Sequence, residues 1–330
     1  MTGKLDCAVA SGERALALAL HFQDFALQMM ATFFVGSACS ALGDYRRAVD
    51  YFSTIVAALQ GERLYERCGM TGLPAVMSRT WLVTCLTDLG EFDLGILRGQ
   101  EAIQIAEAAE HPFSLTQAYY ALGTLLLHQG DLTQAIPILE RGLSLCQTAS
   151  ILTWFPSVAA ALGYAFTLTG RMAEALPLLQ QAVARDTSKG IGVGHARRLA
   201  YLSESYLLTD RRDEAADLAT QALDLARALQ ARGHEAAALR LLGEIDTHRE
   251  PLAGGTSETY YQQALALANE LGMRPLKARC HLALGMLLIK SGQIGRARVE
   301  LSTAIDLFQE MQMTFWLSQA EAALTQTVGG

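Results

Sequence analysis

Cys280 and His281 are neighbours in the chain, and a thiol beside an imidazole can ligate a metal or act as a nucleophile with its base. The sequence has six cysteines, and no two of them have the C-x-x-C spacing that is typical of a zinc site. A nucleophile would also need a third group that orients its base, and none is visible. We therefore predict that Cys280 and His281 are packing positions. We expect no catalytic residue, no metal and no cofactor, and free thiols in a reducing cytoplasm.

The composition narrows the classes of partner. Of the 330 residues, 51% are hydrophobic and 18% are charged, and the formal net charge is -7. A nucleic-acid-binding protein usually presents a basic face, and no block of basic residues stands out here, so we expect no nucleic acid among the partners. Arginine far outnumbers lysine, which together with the many Ala and Leu residues is typical of a GC-rich bacterial genome.

Two uncharged stretches, residues 25–43 and 142–170, are each long enough to cross a bilayer. The second stretch contains Pro156 and several Ser, Thr and Gln residues, and both fall in register with an internal repeat. We therefore expect helical hairpins rather than membrane spans, and no membrane partner.

The repeat is centred on a glycine at a predicted turn. Four copies are FVGSACSALGDYRRAVDYFSTIV (34–56), ALGTLLLHQGDLTQAIPILERGL (121–143), ALGYAFTLTGRMAEALPLLQQAV (161–183) and ALGMLLIKSGQIGRARVELSTAI (283–305). A small residue, glycine in all four, lies seven residues before the turn, alanine lies five residues after it, and a large apolar residue lies nine residues after it. Weaker copies place turns near 90, 210 and 250, which gives a period of about 40 residues.

The pattern predicts helical hairpins that stack into a solenoid. The turn glycine adopts the left-handed conformation that ends a first helix, and Asp44 or Asp131 caps the helix that follows. Glycine and alanine let the two helices of a hairpin approach closely, and the large apolar residues are expected to fill the interface with the following repeat. One hairpin cannot bury its apolar face alone, so stacking supplies the core.

This pattern resembles the tetratricopeptide repeat, in the long form found in signalling ATPases such as transcription activators of the maltose-activator type. The resemblance covers nearly the whole chain and implies an all-α, right-handed superhelical solenoid. We expect a single domain over residues 1–330, with a partial leading repeat at 1–22, about seven hairpins at 23–311 and a capping helix at 312–330.

The C-terminal third resembles a more specific family. The segments that carry this resemblance are LRLLGEIDTHREP (239–251), YYQQALALANELGMRPLKARCHLALGMLL (260–288) and MQMTFWLSQAEAAL (311–324). In that family, a class III adenylate/guanylate cyclase domain and an AAA-type ATPase precede a long tetratricopeptide tail. The resemblance implies that this chain is such a tail, the sensor region of a bacterial signalling protein. It implies no catalysis by the chain itself, which lacks a G-x-x-x-x-G-K-[ST] loop.

Tetratricopeptide domains usually bind partners on the concave face, which the first helix of each hairpin lines. Positions thirteen, ten, six and three residues before each turn are expected to face this groove. They give an apolar, hydroxyl-rich N-terminal half and a charged C-terminal half. The partner-binding residues that we predict are Arg197, Glu204, Arg240, Glu244, Arg279, Tyr120 and Tyr164.

Two interpretations of the charged half remain. Its arginines can hold an anionic or mixed-charge ligand, because guanidinium groups bind carboxylate and phosphate in a forked geometry. Alternatively, the Arg and Glu side chains pair across neighbouring helices as a solvated lining. The predicted function is a non-catalytic module that binds a protein or peptide partner in the groove. The alternatives are a free-standing adaptor that bridges proteins, and a small-molecule sensor with an aromatic-lined pocket near Tyr120 and Tyr164.

Overall fold

The computed structural model describes residues 5–186, 194–248 and 255–327, and within these ranges every regular element is a helix. The predicted all-α class is therefore confirmed. The α-helices, in chain order, are α1 (Leu5–His21), α2 (Phe25–Leu42), α3 (Tyr45–Ala58), α4 (Pro74–Leu89), α5 (Phe92–Ala108), α6 (Pro112–Gln129), α7 (Leu132–Thr148), α8 (Phe155–Leu168), α9 (Met172–Asp186), α10 (Gly194–Leu208), α11 (Arg212–Ala228), α12 (Arg232–Thr247), α13 (Thr256–Glu270), α14 (Arg274–Lys290), α15 (Ile294–Glu310) and α16 (Thr314–Gln326). A short 3-10 helix, Gly61–Tyr65, lies between α3 and α4.

Consecutive helices pair as hairpins, from α2 with α3 to α14 with α15, while α1 precedes this series and α16 follows it. Each even-numbered helix is the first of its hairpin, and successive even-numbered helices also pack on one another. This stacking buries the apolar faces that a single hairpin would leave in water. The result is a solenoid with one continuous hydrophobic core over most of its length.

The turns inside the hairpins follow the chemistry that the sequence predicts. Gly43 has φ 92°, and the next N–H, from Asp44, donates to the carbonyl oxygen of Cys39 at 2.9 Å, which closes the end of α2. The carboxylate of Asp44 then accepts the backbone N–H of Arg47 at 3.4 Å and caps α3, and Asp131 caps α7 in the same way. The predicted turn residues at 90, 130, 170, 210 and 292 also have positive φ. The predicted turn near 250 lies outside the described residues.

The large apolar residue of each repeat lies over the glycine of its own hairpin, rather than only against the following repeat as the pattern suggested. A Cβ added to Gly163 in α8 would stand 2.8 Å from Cγ of Leu179 and 3.2 Å from the carbonyl oxygen of Ala175, both in α9. The same arrangement joins Gly36 to Phe52, Gly123 to Leu139 and Gly285 to Leu301. These glycines are therefore required because a side chain would separate the two helices.

The solenoid winds so tightly that its early hairpins meet its late ones. Helix α2 contacts α12, and α4 contacts α14. The hydroxyl of Tyr45 lies against Gly233 at the start of α12, and the turn residue Gly90 lies against Pro275 and Met311. The first helices consequently surround the concave interior, whose early and late helices are in contact.

Helix α2 is the one described helix that is long and apolar enough to cross a membrane by length and composition. Half of it is buried within the solenoid, and Val35 and Cys39 on it are almost completely buried. The second uncharged stretch is divided between α7 and α8, so it does not form one continuous span.

Candidate functional site

Five of the predicted partner-binding residues form one network inside the solenoid. Glu204 of α10 is at its centre, because its two oxygens accept hydrogen bonds from Arg240 at 2.9 Å, from Arg279 at 3.0 Å and from the Tyr164 hydroxyl at 2.7 Å. Arg240 also pairs with Glu244 one turn further along α12. Helices α8, α10, α12 and α14 each supply part of this network, so it requires four successive hairpins to be stacked.

The network is buried and its charges cancel. The side chains of Arg240 and Glu204 are only 6% and 11% exposed. Burial by itself would raise the pKa of Glu204, but Arg279, Arg240 and the Tyr164 hydroxyl outweigh that effect and lower it. Two guanidinium groups face two carboxylates, so the Arg and Glu side chains of this network pair with one another across neighbouring helices. The pairs are buried rather than solvated, and they leave no excess charge for a ligand.

Arg197 of α10 stands apart from this network. Its nearest carboxylate belongs to Asp88 of α4, at 3.8 Å, which is longer than a hydrogen bond. Within the described part of the chain, the Arg197 guanidinium makes no hydrogen bond of ordinary length. Burial raises the pKa of Asp88, and Arg197 and a hydrogen bond from Tyr45 only partly offset this rise. The opposite charges of Arg197 and Asp88 are therefore close but incompletely paired.

A cavity of about 320 Å³ lies beside Arg197, and this volume is within the range of small-molecule sites. Five aromatic side chains line it, those of Tyr45, Trp81, Tyr120, Trp154 and Tyr201. The ring centroids of Tyr120 and Trp154 are 5.4 Å apart. Its polar lining includes the hydroxyl groups of Ser40, Thr80, Thr84 and Ser157, the ring of His234 and the charged groups of Asp88, Arg197 and Arg198. The Thr80 hydroxyl is buried and has no hydrogen-bond partner among the described residues.

A smaller cavity of about 90 Å³ lies between Arg197 and the Glu204 network. His128 lines it, and its Nε2 is 3.0 Å from the Tyr201 hydroxyl. Burial, together with the positive charges of Arg197 and Arg279, lowers the pKa of His128 to about 3. The ring therefore stays neutral at physiological pH.

The two predicted tyrosines have different positions. Tyr120 lines the larger cavity, whereas Tyr164 stacks on Tyr201 with centroids 4.2 Å apart and lines the smaller one. Several residues that line the larger cavity were not among the predicted partner-binding residues: Trp81, Thr80, Thr84, Asp88, Trp154 and Tyr201. Thr80 and Thr84 are ten and six residues before the turn at 90, so the spacing rule finds them when it is applied to the weak second repeat. The other four lie off that spacing.

The Cys280–His281 pair is not arranged for joint chemistry. Cys280 is completely buried, and this burial raises the pKa of its thiol to about 12. His281 instead makes a 2.6 Å contact from Nδ1 to a carboxylate oxygen of Glu300 on α15. In the ranges that the structure describes, no three His, Cys, Asp or Glu residues are grouped so that they could hold a metal ion.

Comparisons with known proteins agree with this architecture. Two profiles of the tetratricopeptide repeat family match the sequence, over residues 116–148 and 158–190, which cover most of the α6/α7 and α8/α9 hairpins. The chain therefore contains tetratricopeptide repeats at these hairpins, and its other described helices pair in the same way. No curated protein matches the sequence.

Several solved structures share the fold at low sequence identity. The Rap conjugation gene regulator of the plasmid pLS20, in complex with the Phr* peptide, has a TM-score of 0.65 and 15% identity over 87% of this chain and 75% of its own. A Rap protein complexed with competence and sporulation factor has a TM-score of 0.58 and 12% identity over 98% of this chain and 99% of its own. A signal transduction ATPase with numerous domains and a tetratricopeptide repeat sensor, from Pyrococcus horikoshii, has a TM-score of 0.51 and 12% identity over 99% of this chain and 47% of its own.

Proposed function

We propose that this chain is a non-catalytic sensor module that binds a small ligand inside the solenoid. The observation that carries the proposal is the cavity of about 320 Å³ with rings, hydroxyl groups and an incompletely paired guanidinium on its walls. Ligand sites typically combine aromatic surface with a few polar groups that fix orientation. The small-molecule alternative expects an aromatic-lined pocket near Tyr120 and Tyr164. Tyr120 lines this cavity, which supports the proposal, whereas Tyr164 lines the smaller one.

The position of the cavity supports a way of passing the signal on. Its walls include α2 and α4 from the early hairpins and α10 and α12 from the late ones, and Tyr45 touches Gly233 at its edge. A ligand that contacts both sets of helices would favour the closed form of the solenoid over an opened one. Such differential affinity is what a ligand needs to shift a conformational equilibrium.

We further propose that the module regulates a bacterial signalling ATPase or adenylate cyclase in the cytoplasm. The sequence resemblance to cyclase–ATPase tails supports this role, and so does the fold shared with the sensor-bearing signal transduction ATPase. The six free cysteines are compatible with a reducing compartment.

A peptide ligand is the second candidate, because two Rap structures of the same fold contain bound peptides. A peptide needs more room than the cavity of about 320 Å³ offers, so this candidate requires the interior of the solenoid to widen. An adaptor role is favoured by a different observation, the exposed apolar side chains of Leu18, Leu20 and Phe22 near the end of α1.

Equilibrium dialysis against a mixture of metabolites and short peptides, followed by mass spectrometry, tests the proposal. We expect the full chain to retain a small molecule and Thr84→Phe to lose it, because Thr84 lines the cavity and a phenyl ring would fill part of it. Thr84→Val is the matched control, since it keeps the size of the side chain. Retention of peptides alone would favour the second candidate, and equal retention by wild type and Thr84→Phe would contradict an interior site.

A further inference from the structure

Helix α1 occupies the place of a second helix, and among the described residues no first helix is packed along it. Gly12 of α1 lies against Val35 of α2. Gly99 of α5 lies against Leu122 of α6 with the same spacing along the chain. The pair α1/α2 is therefore equivalent, residue by residue, to the pair α5/α6. Helix α4 packs on both α5 and α6, whereas α1 packs mainly on α2 within the described part of the chain.

Positions that are buried on α5 are exposed on α1. Ala8, Ala15 and Leu18 are all exposed, and they lie on one face of α1 because their spacing is close to two helical turns and then one. Their equivalents on α5 are buried: Gly95, Ala102 and Ile105. The place of Ala8 is also completely buried in five other hairpins, where it is taken by Ala48, Ala135, Ala175, Ala215 and Ala297.

The same comparison holds for α2. Leu27 and Phe34 are 48% and 57% exposed, whereas their equivalents on α6, Ser114 and Ala121, are buried. Helix α4 covers this part of α6, since the backbone N–H of Leu73 at its start donates to the Ser114 hydroxyl at 2.9 Å. The exposed apolar faces of the two helices adjoin, and we call them the α1/α2 surface: Ala8, Ala15, Leu18, Leu27 and Phe34.

We propose that the α1/α2 surface binds one amphipathic helix of a partner protein, packed as α4 packs on α5 and α6. Six hairpins of this chain show that a first helix is what covers the place of Ala8. The small residues Ala8 and Ala15 leave room for large apolar side chains on the bound helix. Gly95 does the same for Leu86 of α4, whose Cβ is 3.6 Å from the position that a Cβ of Gly95 would occupy. Laying an apolar helix face in such a surface removes both from water.

The other end of the solenoid favours a partner over a second copy of this chain. Helix α16 also lacks the other helix of its hairpin among the described residues, but much of its exposed face is polar, including Ser318, Gln319, Glu321 and Thr325. A polar outer face is what a terminal repeat needs in water. The α16 helix of a second copy would therefore bring polar side chains to an apolar surface. The α1/α2 surface is at the end of the solenoid, so this inference goes beyond the interior ligand site and does not depend on it.

A synthetic copy of α4 is the probe, because this helix fills the equivalent place on α5 and α6. The peptide comprises residues 73–90 with Cys85→Ser, a lysine tail that keeps it in solution and a fluorescein label. Its fluorescence anisotropy is followed as the full 330-residue chain is added. We expect saturable binding with a Kd below about 1 mM. Amide hydrogen exchange in α1 should slow when the peptide binds, which reports occupation of this surface directly.

Matched variants of the chain separate this surface from any other. Ala15→Glu is expected to weaken peptide binding at least about tenfold, because it puts a carboxylate into an apolar interface. Ala17→Glu is the control, since it makes the same change at an exposed position of α1 whose equivalent on α5, Gln104, is exposed even beneath α4. Both alanines are exposed, so circular dichroism and thermal unfolding should be unchanged. In the peptide, Leu86→Asp should abolish binding, whereas Thr84→Asp should not, because Thr84 lines the interior cavity in the native chain.

Equal binding by the wild type and Ala15→Glu would overturn the inference, and so would the absence of binding up to about 1 mM. Self-association of the chain in sedimentation experiments, lost in Ala15→Glu, would assign the surface to a second copy and overturn the partner assignment. The substitutions in α1 leave the interior cavity unchanged, so the dialysis experiment tests the ligand site separately.

Discussion

The hydroxyl of Tyr45, at the start of α3, lies only 1.9 Å from the position that a Cβ of Gly233 would occupy in α12. The two residues belong to the first and sixth hairpins, so their contact exists only because the solenoid closes on itself. The helical backbone at position 233 would accept alanine, so it is the close contact with Tyr45 that requires glycine there.

Gly233→Ala is expected to weaken closure. The added methyl group would overlap the Tyr45 hydroxyl, and overpacking of this kind typically costs about 1–3 kcal/mol of unfolding free energy. Urea unfolding followed by circular dichroism measures the loss. Gly295→Ala in α15 is the control, because nothing lies within 4 Å of its Cβ position, and it should be neutral or slightly stabilising. Tyr45→Phe in the Gly233→Ala background should recover part of the loss, and no recovery would contradict the contact.

Gly163→Leu is expected to disrupt the middle of the solenoid. Its side chain would meet Leu179 and the carbonyl oxygen of Ala175, and backbone cannot move aside as a flexible side chain can. We expect a loss of more than about 3 kcal/mol, or failure to fold. Thermal unfolding checks this result against Gly295→Leu. A variant as stable as the wild type would show that the helices of this hairpin are not in the register described.

Glu204→Gln is expected to cost about 3–5 kcal/mol, because it removes one partner of a buried ion network and leaves Arg279 without its carboxylate. Glu174→Gln is the matched control, since Glu174 pairs with Arg171 on the solvent-exposed surface, where water screens the ion pair and its loss should have little effect. Denaturant unfolding of both variants measures the difference. Equal small effects would indicate that water reaches the Glu204 network freely.

The stability of the protein is expected to fall as the pH drops below about 6.5, the ordinary value for histidine. Burial lowers the pKa of His128 and of His234 to about 3, so the unfolded chain binds these two protons at a higher pH than the folded chain does. The free energy of unfolding therefore rises with pH between about 3 and about 6.5. Both rings keep some surface on the cavities, and water there limits the size of the effect.

Burial also lowers the pKa of His111, which acts in the same sense, so a substitution is needed to separate the share of His128. Glu204, whose pKa is lowered, contributes a loss only below its ordinary value of 4.5, and Asp88, whose pKa is raised, acts in the opposite sense. Unfolding free energies of the wild type and His128→Gln, measured between pH 7 and about 5, are expected to show a smaller slope for the variant. Identical slopes would mean that His128 is not held neutral.

The hairpins could be predicted from the sequence because their signals are local. Gly163, Ala175 and Leu179 lie within one pair of adjacent helices, and each capping residue bonds to a group three residues away. The candidate site could be predicted only in part. The spacing rule found the members of the Glu204 network, because they occupy equivalent places in successive repeats, but it left open whether they bind a ligand or one another.

The sequence by itself determined the helical hairpins, their register and the class of the protein, since these depend on periodic contacts between neighbouring segments. The tertiary structure decided that the solenoid closes, that Arg240 and Arg279 are neutralised inside it, and that Arg197 faces Asp88 and a ring-lined cavity. Closure depends on the small rotation between successive hairpins, summed over several of them. No single repeat encodes that sum, so residues as distant as Tyr45 and Gly233 meet only in the folded chain.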